Sequence, residues 1–413
     1  MIKFNDYLTE QKNTHMMHLE DQVIYGGVKG ARDAILALRS LRDMLAGHSQ
    51  GATDVTVKWD GAPAVVCGED PNDGKFFVAK KGAFNKNPKV YKSHADIDAD
   101  IGNGDLNNKM KIAFDELSKL NIKGVVQGDV MFTSDDLKKE KIDGMEYITF
   151  HPNTIVYAVP NASDEAKRIR QAKIGVVFHT TYQGNDFPSM RAEFGVDVSK
   201  FRKVKTVWAQ SAELRDLSGT VTLTQADTDE VTRALSNAGK IFNKIAGSTL
   251  RQIENNQELA KTLETYNNTH VRQNRFIDDT TKHVNGLIKW MSDRFDKEID
   301  KMKSDKGRTS KQAKKEEMMK FFSSSNKKSL KYVFELQKAI VVAKLIIINK
   351  LNKLNKIDTF VKTKNGFKVT GAEGFVAIDK LKGGAVKLVD RLEFSANNFS
   401  PDIIKGWDTP SRS

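Results

Sequence analysis

The sequence predicts an α+β protein in which a largely antiparallel sheet is interrupted by a large, basic helical insertion. Three observations lead to this prediction. Six short segments between residues 54 and 182 alternate in polarity or are rich in β-branched residues, as strands are. Residues 224–354 show helical spacing of apolar residues and contain no proline. Strand-like segments then resume between 360 and 389, so the helical stretch interrupts a sheet instead of following it.

Each element has a local cause. Apolar residues at three- and four-residue spacing predict an amphipathic helix at Ala31–Leu45, and Gly47 follows it as a stop. Alternation of polar and apolar residues predicts a first strand at Asp54–Trp59, which Gly61 ends. The same criteria predict a short helix at Lys109–Leu120. They also predict the remaining strands, which are Ala64–Cys67, Phe76–Lys80, Val125–Phe132, Thr154–Val159, Ile174–Tyr182, Phe360–Lys362, Phe367–Val369, Gly374–Ile378 and Ala385–Val389.

These patterns divide the chain into four parts. They are an N-terminal helical segment (1–48), the first part of the sheet domain (49–223), the basic helical insertion (224–355), and the completing strands with a C-terminal tail (356–413). Within the insertion, the serine-rich stretches Ser304–Ser310 and Ser323–Asn326 are predicted to be exposed connections.

Composition excludes several classes of protein. The single cysteine, Cys67, excludes an intramolecular disulfide and a cysteine-rich zinc site. No apolar run approaches the roughly 18 residues of a membrane span, and the N-terminus has no signal-peptide pattern. We therefore expect a soluble cytoplasmic protein without a membrane partner.

The positive charge is concentrated in one block. Residues 301–356 contain 16 Lys and Arg against 4 Asp and Glu, a net +12 of the chain's +13. A dense basic block can contact phosphates, but a solvated helical surface has the same composition, and both interpretations stay open. The candidate nucleic-acid contacts in this block are Lys311, Lys314, Lys315, Lys327 and Lys328.

The tetrapeptide Lys58-Trp59-Asp60-Gly61 ends a predicted strand in a glycine turn, which would present the Lys58 amine at the edge of the sheet. A lysine can act as a nucleophile once it loses its proton. Taken alone, the tetrapeptide fits an ordinary exposed lysine before an Asp-Gly turn better than it fits a nucleophile.

The tetrapeptide is followed in order by five more short motifs on predicted strands or turns. They are Lys80-Lys81-Gly82, the Val125–Phe132 segment around Gly128-Asp129, Gly175-Val176-Val177-Phe178, Glu373-Gly374-Phe375-Val376-Ala377 and Val386-Lys387-Leu388-Val389. This succession resembles the covalent nucleotidyltransferase superfamily of ATP-dependent RNA and DNA ligases and capping enzymes, and looks most like phage-type RNA ligases. The resemblance covers roughly residues 50–185 and 360–392 and leaves the helical parts unexplained.

The resemblance implies a role for each matched residue. Lys58 would attack the α-phosphorus of ATP and carry AMP as a lysyl phosphoramidate, while Asp60, Gly61 and Lys81 would line the nucleotide site. Phe178 would stack on adenine.

Glu373 would engage Mg²⁺, and Lys387 would bind the α-phosphate. Asp129 stands where the family has Glu, as a contact to the ribose or the metal.

Two further positions depart from the family pattern. His179 stands where many relatives have Asp. Val389 replaces a second lysine, so either Lys382 takes its place or that contact is absent.

The function that this resemblance implies is an ATP- and Mg²⁺-dependent polynucleotide ligase that joins 5′-phosphate and 3′-hydroxyl ends. We expect RNA more than DNA as the substrate, because only 26 residues follow Lys387, too few for the barrel that DNA ligases add there. The alternatives are a DNA ligase lacking that barrel, a non-catalytic nucleic-acid-binding protein on a degenerate fold, and an enzyme that transfers AMP to a protein or small molecule. The sequence does not predict the oligomeric state.

Overall fold

The computed structural model describes residues 17–47, 53–212, 223–353, 357–379 and 384–406. They form an α+β protein with antiparallel sheets and a helical region, which confirms the predicted fold class at that level.

The chain divides into two compact units. We call the first the helical unit; it comprises the described residues of Met1–Thr53, Gly219–Lys353 and Asp379–Ala396. We call the second the sheet unit; it comprises those of Asp54–Ser218, Leu354–Ile378 and Asn397–Ser413. The predicted insertion thus belongs to the same unit as the N-terminal helix and the segment Asp379–Ala396 from the last part of the chain.

The strands, in chain order, are β1 (Thr53–Lys58), β2 (Ala64–Glu69), β3 (Phe76–Ala79), β4 (Val125–Thr133), β5 (Lys138–Ile142), β6 (Met145–Phe150), β7 (Ile155–Pro160), β8 (Ile174–Gln183), β9 (Arg191–Phe194), β10 (Val207–Ser211), β11 (Asp358–Thr363), β12 (Gly366–Val369), β13 (Gly374–Asp379), β14 (Gly384–Leu388) and β15 (Ile403–Ile404). Every predicted strand is present within about two residues of its predicted ends.

The α-helices are α1 (Gln22–Tyr25), α2 (Gly27–Leu45), α3 (His94–Ile101), α4 (Asp105–Leu117), α5 (Asp164–Gln171), α6 (Gln225–Phe242), α7 (Gly247–Glu254), α8 (Gln257–Val271), α9 (Thr280–Asp300), α10 (Asp305–Lys320), α11 (Ser324–Asn352) and α12 (Arg391–Phe399). Helices α2 and α4 correspond to the two predicted outside the insertion, and both begin about four residues earlier than predicted.

The sheet unit contains two larger sheets. The first has the strand order β10-β8-β4-β2-β3, with β9 beside β8; the β8–β10 contact is parallel and the other contacts are antiparallel. The second, antiparallel throughout, has the order β12-β11-β7-β6-β5, with β15 beside β11. Because β11 pairs with β7, a strand from beyond the helical stretch completes a sheet begun before it.

The two faces of the first sheet differ. One face packs apolar side chains such as Val65, Val126 and Phe178 against Met110 and Leu117 of α4. The opposite face carries polar side chains near its centre, where β4 and β8 change register through a bulge between Gln127 and Gly128. Two of the predicted site residues, Asp129 and Phe178, lie in this irregular stretch.

The helical unit is organised around α11, a helix of 29 residues. Its apolar stripe, including Leu330 and Phe334, packs with Leu263 of α8 and Leu287 and Met291 of α9. The helix also buries Lys344 completely, and its Nζ donates to Glu20 Oε2 at 2.6 Å.

The two serine-rich stretches of the insertion are largely exposed, as predicted, but they are helix starts, so their prediction as connections is wrong. Ser304 caps α10 by accepting from the Gly307 N–H at 3.2 Å, and Ser323 caps α11 by accepting from the Asn326 N–H at 3.3 Å. A serine hydroxyl satisfies one of the free amides of the first helical turn, so serine marks a helix start as readily as a loop.

None of the helices in the described ranges combines the length and apolar character that a membrane span requires.

Candidate functional site

Lys58 lies at the end of β1 and forms an ion pair with Glu373, the residue that precedes β13. The two strands are neighbours in a sheet, and Thr56 Oγ1 donates to the carbonyl of Val376 at 3.4 Å. Val55 and Val57 are buried on β1, which leaves Lys58 as the first side chain at the open end. The Lys58 side chain is 32% exposed and that of Glu373 9%, so the amine is accessible while its partner is largely enclosed.

Asp60 fixes the turn after β1. Its carboxylate accepts hydrogen bonds from Asn153 Nδ2 at 2.6 Å and from the backbone N–H groups of Thr154 and Ile155 at 2.7 and 3.0 Å. The residue is only 7% exposed. Asp60 therefore holds the turn that positions Lys58, and its predicted direct contact with nucleotide remains a prediction.

Two stacked aromatic rings, Trp59 and Tyr157, pack beside the same turn. The Trp59 ring stacks on Tyr157 with centroids 5.0 Å apart, and the Tyr157 hydroxyl accepts the Asp60 N–H at 2.7 Å. Burial raises the pKa of Tyr157 well above its usual value, and the negative charges of Asp60, Glu373 and Asp129 raise it further. The carboxylates of Asp60, Glu373 and Asp129 therefore lie close enough to Tyr157 to act on its pKa, and its buried hydroxyl stays protonated.

Gly61 allows β4 to approach the turn. A Cβ at this position would lie 2.6 Å from Asp129 Cβ and 2.8 Å from Met131 Sδ, closer than side chains can pack. Asp129 is 22% exposed in its side chain and lies 3.7 Å from His179 Nε2. Gly61 thus brings the Lys58 turn directly against the strand that carries the Asp129–His179 pair.

Phe178 points away from this face. It is fully buried in the core cluster of the first sheet, with its ring 5.2 Å from that of Phe201 in an edge contact. His179, the next residue, is 28% exposed and faces the opposite way, because successive side chains of a strand alternate. The stacking role predicted for Phe178 stays a prediction that would require this ring to leave the core.

The other predicted lysines differ in position. Lys81 is exposed at the start of a short 3₁₀ helix, Lys81–Phe84. Lys387 is in β14 of the helical unit, where its backbone forms an isolated parallel β-bridge with His18. Its amine lies 5.6 Å from the centre of the Phe394 ring. Lys382 lies outside the described residues. The phosphate contacts predicted for these three residues stay predictions.

Three lysines of the predicted basic surface are neutralised by ion pairs. Lys311, Lys314 and Lys315 lie 2.5, 2.7 and 2.6 Å from Glu298, Glu258 and Asp296, respectively.

Lys327 and Lys328 are exposed and have no ion pair within the described part of the chain. Among the five candidate contacts, the two that remain open to a polyanion therefore lie at the start of α11.

The carboxylates of Glu373 and Asp129 are hard oxygen ligands of the type that Mg²⁺ prefers. Mg²⁺ keeps several waters and takes one or two protein carboxylates, so the chemistry of either residue suits it. In the ranges that the structure describes, no group of three or more His, Cys, Asp or Glu side chains is arranged to hold a metal, which does not fit the all-protein ligand set of a zinc site.

Sequence reasoning missed the roles of His179 and Tyr157. His179 was visible only as a departure from the family pattern, and its pairing with Asp129 depends on a β-bulge that has no sequence signal of its own. Tyr157 lies within a predicted strand as an apparently ordinary core aromatic, and only the structure shows its hydroxyl beneath the Lys58 turn.

A sequence profile matches residues 13–402, nearly the full length, and the chain therefore belongs to the family described as "Family of unknown function (DUF6267)". No curated protein matches the chain. No solved structure matches it.

Proposed function

We propose that this member of the family is an ATP-dependent polynucleotide ligase, acting on RNA, which carries AMP on Lys58 as a covalent intermediate. The observation that supports the proposal most is the Lys58–Glu373 ion pair. The resemblance selected these two residues independently, from strands on either side of the helical stretch, as nucleophile and acidic partner.

The first step would form a bond between Lys58 Nζ and the α-phosphorus of ATP and break the bond from that phosphorus to the pyrophosphate oxygen. The amine must lose a proton before it attacks, and the Glu373 carboxylate beside it is the nearest acceptor. AMP would then pass to a 5′-phosphate, and a 3′-hydroxyl would displace it to complete the joined strand.

The surrounding residues would position this chemistry. Asp60 and Tyr157 hold the turn through buried hydrogen bonds, so the amine is oriented before the nucleotide arrives. Asp129 and Glu373 would hold Mg²⁺, which when bound would neutralise negative charge on the phosphate oxygens. His179 beside Asp129 would keep that carboxylate aligned.

The proposal is tested by incubating the protein with Mg²⁺ and α-labelled ATP. We expect covalent label on the wild type and none on Lys58→Ala. Lys362→Ala is the matched control, because Lys362 has the same 32% side-chain exposure and pairs with Glu140 at 3.1 Å within the same unit. Retention of the label in Lys58→Ala, or its loss in Lys362→Ala as well, would contradict the assignment.

The substrate is tested by a chase. Labelled protein is mixed with 5′-phosphorylated single-stranded RNA or with nicked DNA, and transfer of AMP to the 5′-phosphate is followed. Transfer to RNA alone supports an RNA ligase, and transfer to nicked DNA alone supports a DNA ligase. Label that reaches neither polynucleotide indicates an enzyme that transfers AMP to a protein or small molecule.

The burial of Phe178 favours a second candidate, a nucleic-acid-binding protein that retains the arrangement without the transfer chemistry. With that ring in the core, no side chain is assigned to stack on adenine. This candidate predicts binding to RNA that falls steeply with salt and no covalent label under any condition.

A further inference from the structure

The helical unit contains a cavity of about 220 Å³. It is lined by residues of α8 and the segment after it, of α11, and of the start of α12. Its walls are mainly apolar and include Val271, Phe276, Ile277, Val341, Leu345 and Leu392. An engineered apolar cavity of roughly 150 Å³ holds benzene, so this one has room for a larger ring system.

Glu20 lines the cavity and is only 3% exposed. Its Oε2 accepts from Lys344 Nζ at 2.6 Å, whereas its Oε1 is buried and accepts no hydrogen bond from any described residue. A buried carboxylate oxygen without a donor is costly, and native proteins rarely leave one. Oε1 is therefore an acceptor without a partner in the wall of the cavity, and a donor from a ligand would reach it once the side chains that enclose it shift.

Arg391 places a donor next to this free acceptor. Its Nη1 lies 3.7 Å from Glu20 Oε1, beyond hydrogen-bond range. Nη1 carries two hydrogens, and one of them is donated to Asp21 Oδ1 at 3.0 Å. An unused acceptor and an unused donor therefore lie side by side in the wall of the cavity.

The rim carries a positive charge. Arg275 lines the cavity, is exposed, and makes no ion pair with any residue that the structure describes. An anionic group attached to a buried ring could reach this guanidinium and stay in water.

We propose that this cavity binds a nucleotide whose base carries, on its Watson–Crick edge, an amino group next to a ring nitrogen without a hydrogen, namely adenine or cytosine. The amino group would donate to Glu20 Oε1, the ring nitrogen would accept from Arg391 Nη1, and the phosphate would pair with Arg275. Uracil and hypoxanthine present a carbonyl and a ring N–H at the same positions, so both hydrogen bonds would be reversed. The site belongs entirely to the helical unit and does not depend on the Lys58 chemistry.

The test measures binding by calorimetry to the full-length protein. The probes are AMP and CMP against IMP and UMP, with benzylamine as a simple aromatic amine. We expect AMP and CMP to bind at least tenfold more tightly than IMP, UMP and benzylamine. Equal affinity across the four nucleotides, equal affinity for benzylamine, or no binding of AMP and CMP at millimolar concentration would overturn the proposal.

Variants assign the binding to this cavity. Val342 lines it and is 47% exposed, so Val342→Trp would obstruct the cavity from the surface without disturbing the core. We expect at least a tenfold loss of AMP and CMP affinity, and none in Val369→Trp, a 70% exposed valine on β12. Unchanged affinity in Val342→Trp would place the binding elsewhere and refute the proposal.

The rim charge is tested separately. Arg275→Gln should weaken AMP binding about threefold to tenfold and leave adenosine binding unchanged, with Arg233→Gln on α6 as the control for an exposed arginine. An equal effect on AMP and adenosine would remove Arg275 from the site. These experiments measure binding affinity, whereas the ligase test measures covalent label. A failure of one proposal can therefore be told apart from a failure of the other.

Discussion

The two units place the same kind of ion pair in opposite environments. Lys58 and Glu373 meet at an open strand end of the sheet unit, where the lysine side chain is 32% exposed. Lys344 and Glu20 meet inside the helical unit, where the side-chain exposures are 0% and 4%. An ion pair open to water contributes little to stability and can be rearranged by a ligand, whereas a buried pair must stay intact once the chain has folded. The comparison therefore separates an ion pair that a ligand could rearrange from one that stays fixed in the folded chain.

The polar core of the helical unit extends beyond this pair. Arg391 joins Asp21 and Asn268, and Asn267 joins His283 and Gln337 through hydrogen bonds of 2.8 and 3.1 Å. Such networks are stabilising only when each member is satisfied. Removing one member should therefore cost far more here than at the strand end.

The largest effect is expected for Lys344→Met. The substitution keeps the volume and leaves the buried Glu20 charge without its closest partner, which should lower the free energy of unfolding by about 3–5 kcal/mol. Urea unfolding followed by circular dichroism measures it. Lys350→Met, on the same helix, breaks the 2.7 Å pair with Asp227 at 26% lysine exposure and should cost less than about 1 kcal/mol. Equal costs for the two variants would show that burial does not separate these pairs.

The second effect concerns pH. Burial lowers the pKa of His283 to about 3, with a smaller contribution from His270, so the folded protein holds this ring neutral. The unfolded chain binds the proton near pH 6.5, so the stabilising contribution is complete above that pH and is lost as the pH falls toward 3. Between pH 7.5 and 5 the loss from this one ring should be about 2 kcal/mol.

The contribution of His283 is isolated by comparing unfolding midpoints of the wild type and His283→Gln at pH 7.5 and 5. The variant should lose less stability on acidification, because glutamine has no proton to gain. His94→Gln, at a side chain that is 47% exposed, should follow the wild type. If His283→Gln has the same acid sensitivity as the wild type, the ring is not held neutral.

A difference in burial also explains which helices and strands could be predicted from the sequence. Strands β1, β4 and β8 and helices α2 and α4 have regular apolar periods, because each buries one face against a core, and all were predicted. Strands β5 and β9 are short and largely exposed, so they carry no such period and were missed.

Of the candidate site, Lys58 and Glu373 could be predicted from the sequence. The chemistry that the resemblance implies requires a lysine and an acidic residue at these positions. The function of Asp60 as a buried anchor and the pairing of Asp129 with His179 depend on tertiary contacts and a bulge. The role of the buried Lys344 has no local signal in the sequence, because its partner Glu20 lies at the other end of the chain.

Glu373→Gln should have a small effect on stability and a large effect on labelling by ATP. Glu373→Gln removes the charge opposite Lys58 at a partly open strand end, so it should change the free energy of unfolding by less than about 1 kcal/mol. Labelling by ATP should nevertheless fall at least a hundredfold, because the amide can neither accept the proton of Lys58 nor bind Mg²⁺ as a carboxylate does. Glu140→Gln makes the same change beside Lys362 and should alter neither quantity appreciably. A loss of several kcal/mol in Glu373→Gln would place this pair with the buried one of the helical unit, and its lysine would then be a structural residue and not a nucleophile.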